Sequence, residues 1–135
     1  MVQIACAYEG QLHCTAKHGP SGSVVATDAP VDNMGRGEAF SPTDLLATAL
    51  GTCMLTTMAI VAERNKIELK GATVKVVKIM ATQPTRRVGE VTVEMRLPPG
   101  IAPDQRARLE AAAHACPVSK SLHPDVKIPV TFHWA

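Results

Sequence analysis

The chain has 135 residues, 46% of them hydrophobic but only one Trp, one Tyr and two Phe, and a formal net charge of +2. This length predicts one domain over residues 1–135, with a core of aliphatic side chains and methionine. A charge so small and so evenly spread predicts no nucleic-acid or membrane partner. No basic start followed by an apolar stretch marks a signal peptide, so we expect a cytoplasmic protein whose cysteines stay reduced unless they are reactive.

The first third of the sequence has the residue pattern of short β-strands separated by turns. The pattern predicts three of them, over residues 2–8, 11–17 and 24–27. Cys6 and Cys14 would face one another across the first hairpin if its loop has three residues. Proline and glycine after the third strand predict a mobile loop over residues 28–39.

A long uncharged segment predicts the central helix. Ser41 is placed to cap it, Pro42 suits its first position, and Asp44 completes a capping box. The helix should end near Asn65. Residues 45–62 have no charge over 18 positions, about the minimum for a membrane span, but threonines and glycines dilute them and no aromatic or basic belt flanks them. We therefore expect a core helix buried on nearly all sides, partly by a second subunit.

The second half predicts two strands, two helices and a closing strand. A long strand is predicted over 74–80, and over 91–97 apolar residues alternate with polar ones, the period of a half-buried strand. A helix should begin near Pro103, and Pro117 should open a short second helix. The last strand is predicted over residues 127–134. The predicted order is βββαββααβ, an α+β fold.

Two cysteines lie in similar apolar surroundings. Cys53 is inside the central helix, and Cys116 closes an Ala-rich helix immediately before Pro117. A thiol on each of two helical segments is what a peroxide-reducing pair needs, because one thiol becomes a sulfenic acid and the other condenses with it to a disulfide. Free cysteine is also a common buried core residue, so a purely structural role stays open.

The two thiols differ in what could stabilise their charged forms. Pro117 disfavours helical geometry at Cys116, so its sulfur should lie near unpaired backbone amides, which stabilise a thiolate. Cys53 would need a cation from elsewhere. Arg36 is the nearest in sequence, and Arg86 and Arg87 are further candidates.

Metal binding is not predicted. The sequence has no Cys-x-x-Cys or His-x-x-x-His spacing, and strand alternation sends His13 and Cys14 to opposite faces. His114, two residues before Cys116, would project about 200° away from it on a helix, so we expect a surface or capping residue rather than a base.

Residues 41–53, SPTDLLATALGTC, together with HACPVSKSL at 114–122, resemble the OsmC/Ohr family of osmotically inducible and organic hydroperoxide resistance proteins. The resemblance spans nearly the whole chain. It implies an intertwined homodimer whose antiparallel sheets wrap around central Cys-bearing helices. It also implies a thiol-dependent peroxidase for organic hydroperoxides, without a cofactor, in which Cys53 attacks, Cys116 resolves and an external dithiol reduces the disulfide. Met54 and Met58 would line an apolar pocket near Cys53.

The sequence departs from the family pattern near the helix start. The best characterised members hold their activating Arg with a Glu ten residues before the attacking cysteine, where this chain has Thr43, with Asp44 one place later. Arg36 is also nearer to the helix than that pattern places the Arg. Two alternatives therefore stay open: a binding protein of the same fold with unreactive thiols, and a redox sensor that uses the same disulfide.

Overall fold

The structure, a computed structural model, describes all 135 residues. It is a mixed α+β fold of six strands, three α-helices and a short 3-10 turn at Val31–Asn33. The elements are β1 (Ile4–Tyr8), β2 (His13–His18), β3 (Val24–Asp28), α1 (Pro42–Arg64), β4 (Thr73–Ala81), β5 (Arg87–Leu97), α2 (Pro103–His114), α3 (Pro117–Ser121) and β6 (Val130–Trp134). They form two compact units, Met1–Leu46 and Ala47–Ala135.

The first unit contains an antiparallel sheet in the order β1-β2-β3. Cys6 pairs with Ala16, and Cys14 pairs with Tyr8, so the prediction that the two cysteines face one another was wrong. Gln11 and Leu12 both adopt left-handed backbone, with φ of 55° and 61°. The tight turn is therefore centred one residue later than the position of Gly10 suggested.

Helix α1 begins with the predicted capping box. The backbone N–H of Ser41 donates to Oδ2 of Asp44 over 2.9 Å, and the N–H of Asp44 donates to Oγ of Ser41 over 3.0 Å. These bonds satisfy backbone donors that the first turn of a helix leaves unpaired. The helix ends at Arg64, one residue before the predicted end, and Lys66 has left-handed backbone with φ 55°.

The second unit contains a sheet in the order β4-β5-β6. β4 and β5 are antiparallel, whereas β6 runs parallel to β5, so the expectation of antiparallel sheets is wrong for this pair. The chain crosses over through α2 and α3 before it returns to the sheet. The central strand β5 confirms the period-two pattern, since its alternate residues Val91, Val93, Met95 and Leu97 are buried.

Helix α1 packs on β4 through a glycine. A Cβ built on Gly51 would lie 3.4 Å from Cγ1 of Val74, an ordinary contact, but 2.9 Å from Cγ1 of Val76, which is closer than Cβ atoms normally approach. Gly51 therefore lets the helix backbone approach the sheet. The fully buried large side chains of this core include Leu50, Met54, Met58, Met95 and Leu109.

Burial of α1 is incomplete in the single chain. In its most apolar window, of mean hydropathy 1.9, only 33% of the residues are buried, and Ile60 is 47% exposed. The single chain by itself does not bury α1 on nearly all sides, and the second subunit that would cover the remaining face stays a prediction. By length and composition alone the helix could cross a membrane, which is weak evidence because core helices of soluble proteins pass the same test.

Helix α2 is held to β6 by ring and hydrogen-bond contacts. Nε1 of Trp134 donates to Oε1 of Glu110 over 2.8 Å, and the guanidinium of Arg106 lies 5.4 Å from the centre of the Trp134 ring. His114, at the end of α2, is exposed and meets the ring of Phe132 edge-on at 5.8 Å. These contacts fix the end of α2, from which the chain continues to Cys116.

Candidate functional site

Cys53 lies in the middle of α1 and carries a free thiol. Its side chain is half-buried, in contrast to its fully buried neighbour Met54. The sulfur lies 3.9 Å from Oγ1 of Thr57, one helical turn further on. Cys53 is therefore more accessible than the sequence suggested, and its polar neighbour is a hydroxyl.

Cys116 has a different environment. It is the N-cap residue of α3, with extended backbone (φ −64°, ψ 140°), as the proline that follows it requires. Its sulfur accepts a hydrogen bond from the backbone N–H of Ser119 over 3.3 Å, which confirms the prediction that it lies near unpaired helix amides. The residue is fully buried, and its thiol is also free. Lys120 is exposed one turn on.

The residues named as possible activators lie in several parts of the chain. Arg36 is exposed in the segment between the 3-10 turn and α1, in the first unit. Arg87, at the start of β5, is half-buried and donates to the carbonyl of Val88 over 3.4 Å, whereas Arg86 is exposed in the preceding turn. At the position of the family's Glu, Thr43 has its hydroxyl 3.2 Å from that of Ser41.

Met54 and Met58 point into the core. They are 1% and 0% exposed, because the helix face that carries them is the face that packs with Gly51 against β4. The second unit does hold a cavity of about 460 Å³ at the C-terminal end of α1. Its lining is mixed: apolar residues such as Leu55, Ala59 and Leu69 lie beside the charged residues Glu63, Glu68 and Lys70, and no cysteine lines it.

No group of three or more His, Cys, Asp or Glu side chains is arranged to hold a metal ion. His13 instead bonds a carboxylate: its Nδ1 donates to Oδ1 of Asp28 over 2.6 Å, and its Nε2 lies 3.7 Å from Oε1 of Glu9. This pairing was missed in the sequence because it joins residues on separate strands of the first sheet.

Asp28 is a charged residue with only 2% of its surface exposed. The pKa of Asp28 lies below its ordinary value, and the hydrogen bond from His13 is the largest cause. The backbone N–H of Glu38 and the charge of Arg36 lower this pKa further, whereas burial raises it. The Glu38 N–H donates to Oδ2 of Asp28 over 2.9 Å. Asp28 thus ties β3 to the loop that carries Arg36.

We expect acid to weaken the fold through Asp28. Because its folded pKa is lowered, the ionised carboxylate contributes stability that is complete above the unfolded pKa of about 3.9 and is lost as the pH falls through the folded value. Asp28→Asn should remove this contribution, so the variant should lose less unfolding free energy than the wild type between pH 6 and pH 3. Urea unfolding at a series of pH values measures both losses.

Asp125→Asn is the matched control, because Asp125 also lies near a histidine, His123, but both side chains are about 70% exposed and 3.7 Å apart. It should keep the pH dependence of the wild type. If Asp28→Asn loses as much unfolding free energy between pH 6 and pH 3 as the wild type, Asp28 is not the cause of the acid sensitivity.

The family model described as OsmC-like protein matches residues 35–131. A solved structure from Psychrobacter arcticus 273-4, assigned provisionally to osmotic stress induction and the detoxification response, is 44% identical, with a TM-score of 0.93 and coverage of 98% of this chain and 96% of that one. No curated protein matches the chain.

Two more distant structures share the fold. The organic hydroperoxide resistance protein OsmC of Legionella pneumophila is 19% identical, with a TM-score of 0.75 over 98% of this chain and 96% of that one. The organic hydroperoxide resistance protein of Elizabethkingia anophelis is also 19% identical, with a TM-score of 0.77 over 100% and 96%. The family match over most of the chain and the 44% identical structure place the protein in the OsmC-like family.

Proposed function

We propose that the protein is a thiol-dependent peroxidase that reduces organic hydroperoxides. The observation that carries the proposal is the contrast between its two helix-borne thiols. Cys53 is partly exposed to solvent and lies beside the hydroxyl of Thr57. Cys116 is fully buried, and its sulfur accepts a hydrogen bond from a backbone N–H. Membership of the OsmC-like family supports it, since two relatives of the same fold are named as organic hydroperoxide resistance proteins.

The proposed reaction has three steps. The Cys53 thiolate attacks the distal peroxide oxygen, the O–O bond breaks, and the alkoxide leaves as an alcohol after taking a proton, so that Cys53 becomes a sulfenic acid. The Cys116 thiol then displaces water from that sulfur and forms a disulfide. An external dithiol reduces this disulfide by thiol–disulfide exchange. The electrons come from the dithiol, so the cycle needs no cofactor.

Accessibility supports this division of roles. A peroxide must reach the attacking sulfur, and Cys53 is the more accessible of the two. The buried Cys116 is shielded from direct oxidation, which suits a thiol that reacts only with the sulfenic acid. Arg36 as the cation that stabilises the thiolate, and Met54 and Met58 as binding residues, stay predictions.

We also propose that the protein works as a homodimer in the cytoplasm. In the single chain every residue of β1 is exposed, including Ile4 at 61% and Tyr8 at 66%. Ile60 on α1 is also exposed, on a helix with no charged residue between Asp44 and Glu63. Apolar surfaces of this kind are typical of interfaces with another chain. A single OsmC-like domain over residues 1–135 likewise stays a prediction.

The test is one equivalent of cumene hydroperoxide added to the reduced protein, followed by intact and peptide mass spectrometry. We expect a loss of about two mass units, mapped to a Cys53–Cys116 link. The native mass before treatment should be twice the chain mass. A folded protein whose mass does not change on treatment would rule out the peroxidase.

A second candidate function is binding of a small apolar ligand. The cavity of about 460 Å³ at the end of α1 favours it, because ligand sites commonly have volumes in this range, and no cysteine lines the cavity. The replacement of the family's Glu by Thr43 favours it as well. If the peroxide leaves the mass unchanged, this cavity is the site to test with apolar ligands.

A further inference from the structure

Three threonines on α1 donate the same hydrogen bond, but only one of them meets a sulfur. The hydroxyls of Thr52, Thr56 and Thr57 each donate over 2.8 Å to the backbone carbonyl four residues earlier. For Thr57 that residue is Cys53, whose sulfur lies 3.9 Å from the same hydroxyl oxygen. Thr52 and Thr56 are exposed, whereas Thr57 is half-buried together with Cys53.

The protonation state of Cys53 decides what this hydroxyl can do. A threonine hydroxyl has one hydrogen, and here that hydrogen is on the Cys53 carbonyl. While the Cys53 thiol is protonated, the hydrogen between its sulfur and Oγ1 of Thr57 therefore belongs to the thiol, which donates it to Oγ1. Once the thiol has given its proton to solvent, the sulfur can only accept.

The hydroxyl can then turn to the sulfur. Rotation about the Cβ–Oγ1 bond redirects its hydrogen without moving the helix, and a small change of the Cys53 rotamer shortens the contact. A hydrogen bond to a charged acceptor is about twice as strong as one between neutral groups, so the exchange is favourable even though the carbonyl loses a donor. That carbonyl still accepts the helix hydrogen bond from the N–H of Thr57.

We propose that Thr57 is a positioning residue for Cys53: its hydroxyl moves from the Cys53 carbonyl to the thiolate, which it stabilises and holds in one orientation. The inference rests on the proposed function in one respect, since it takes Cys53 as the reactive thiol. The hydroxyl does not take part in bond breaking. Its effect on reactivity is through the fraction of Cys53 present as thiolate.

The test measures alkylation of Cys53 by iodoacetamide, read by peptide mass, from pH 6 to pH 10. Thr57→Val keeps the branched shape and removes the hydroxyl. We expect the rate of Cys53 alkylation at pH 7 to be about fivefold to tenfold lower in this variant. That factor corresponds to the difference in strength between a hydrogen bond to a charged acceptor and one between neutral groups. The pH–rate profile should move to higher pH and approach the wild-type rate at its alkaline end. Thr57→Ser should restore the wild-type profile.

Thr52→Val is the matched control, because it removes the same type of helix hydrogen bond from an exposed position. It should leave Cys53 alkylation unchanged. If Thr57→Val does not fold, Thr57→Ala removes the same hydroxyl and replaces it in the comparison. A rate that matches the wild type at every pH, or one reduced by the same factor at every pH, would overturn the proposal.

The readout separates this inference from the peroxidase proposal. Alkylation requires no peroxide, so Thr57→Val can change the Cys53 profile even if the protein reduces no hydroperoxide. Conversely, if the protein reduces hydroperoxides but Thr57→Val leaves the pH–rate profile of Cys53 alkylation unchanged, the inference is refuted and the peroxidase proposal is not.

Discussion

Cys53→Ser is expected to reduce the turnover of organic hydroperoxide more than about a thousandfold, because removal of the nucleophile removes the step on which the cycle depends. A serine hydroxyl is not ionised near neutral pH, and its oxygen cannot accept the peroxide oxygen as sulfur does. The half-buried position beside Thr57 accommodates the smaller oxygen without new contacts, so the fold should persist. Consumption of cumene hydroperoxide with dithiothreitol as reductant measures the loss.

Cys6→Ser is the matched control for this experiment. Cys6 is a free, exposed thiol on β1, in the first unit, and should make no difference to turnover. Equal losses in both variants would indicate a general requirement for thiols, and full activity of Cys53→Ser would exclude Cys53 as the nucleophile.

Cys116→Ser should separate the two roles. Serine is a favoured N-cap residue, so its oxygen can accept the Ser119 N–H that the sulfur now accepts, and α3 should form. Without a reductant, the variant should consume one equivalent of peroxide and hold Cys53 as sulfenic acid with no disulfide, and each further oxidation step should consume one more equivalent; peptide mass measures both.

Gly51→Leu is expected to have the largest effect on stability, a loss of about 3 kcal/mol in the free energy of unfolding. The first added carbon would already lie 2.9 Å from Cγ1 of Val76, so the helix must move from β4 or the valines must leave their positions. The gain in helix propensity, about 1 kcal/mol over glycine, offsets only part of this strain. Because Cys53 is two residues further along α1, its environment should change with it. Urea unfolding measures the loss.

Gly51→Ala and Ala107→Leu complete the comparison. Alanine gains the same propensity and adds only the first carbon, so its effect should be much smaller than that of leucine. Ala107 is exposed on α2, and leucine there should change stability by less than about 0.5 kcal/mol. A Gly51→Leu protein as stable as the wild type would show that α1 does not need the close approach to β4.

The sequence by itself predicted the features that depend on local order. The bounds of α1, its capping box at Ser41 and Asp44, and the alternation of β5 all follow from neighbouring residues within one element. The extended backbone at Cys116 follows in the same way from Pro117. The family could also be identified from two short motifs around Cys53 and Cys116, because these motifs keep fixed spacings within their own helices.

The tertiary structure decided what depends on pairing between elements. The register of the first hairpin follows from two left-handed residues, Gln11 and Leu12, which no local rule favours there. This turn pairs Cys6 with Ala16, two residues beyond Cys14. The contact of Gly51 with β4 and the bond of His13 to Asp28 join positions far apart in the chain. Hydrophobic patterning predicts that the residues of α1 are apolar but not which surface covers them. The single chain leaves one face of the helix open, and its coverage by a second subunit stays a prediction.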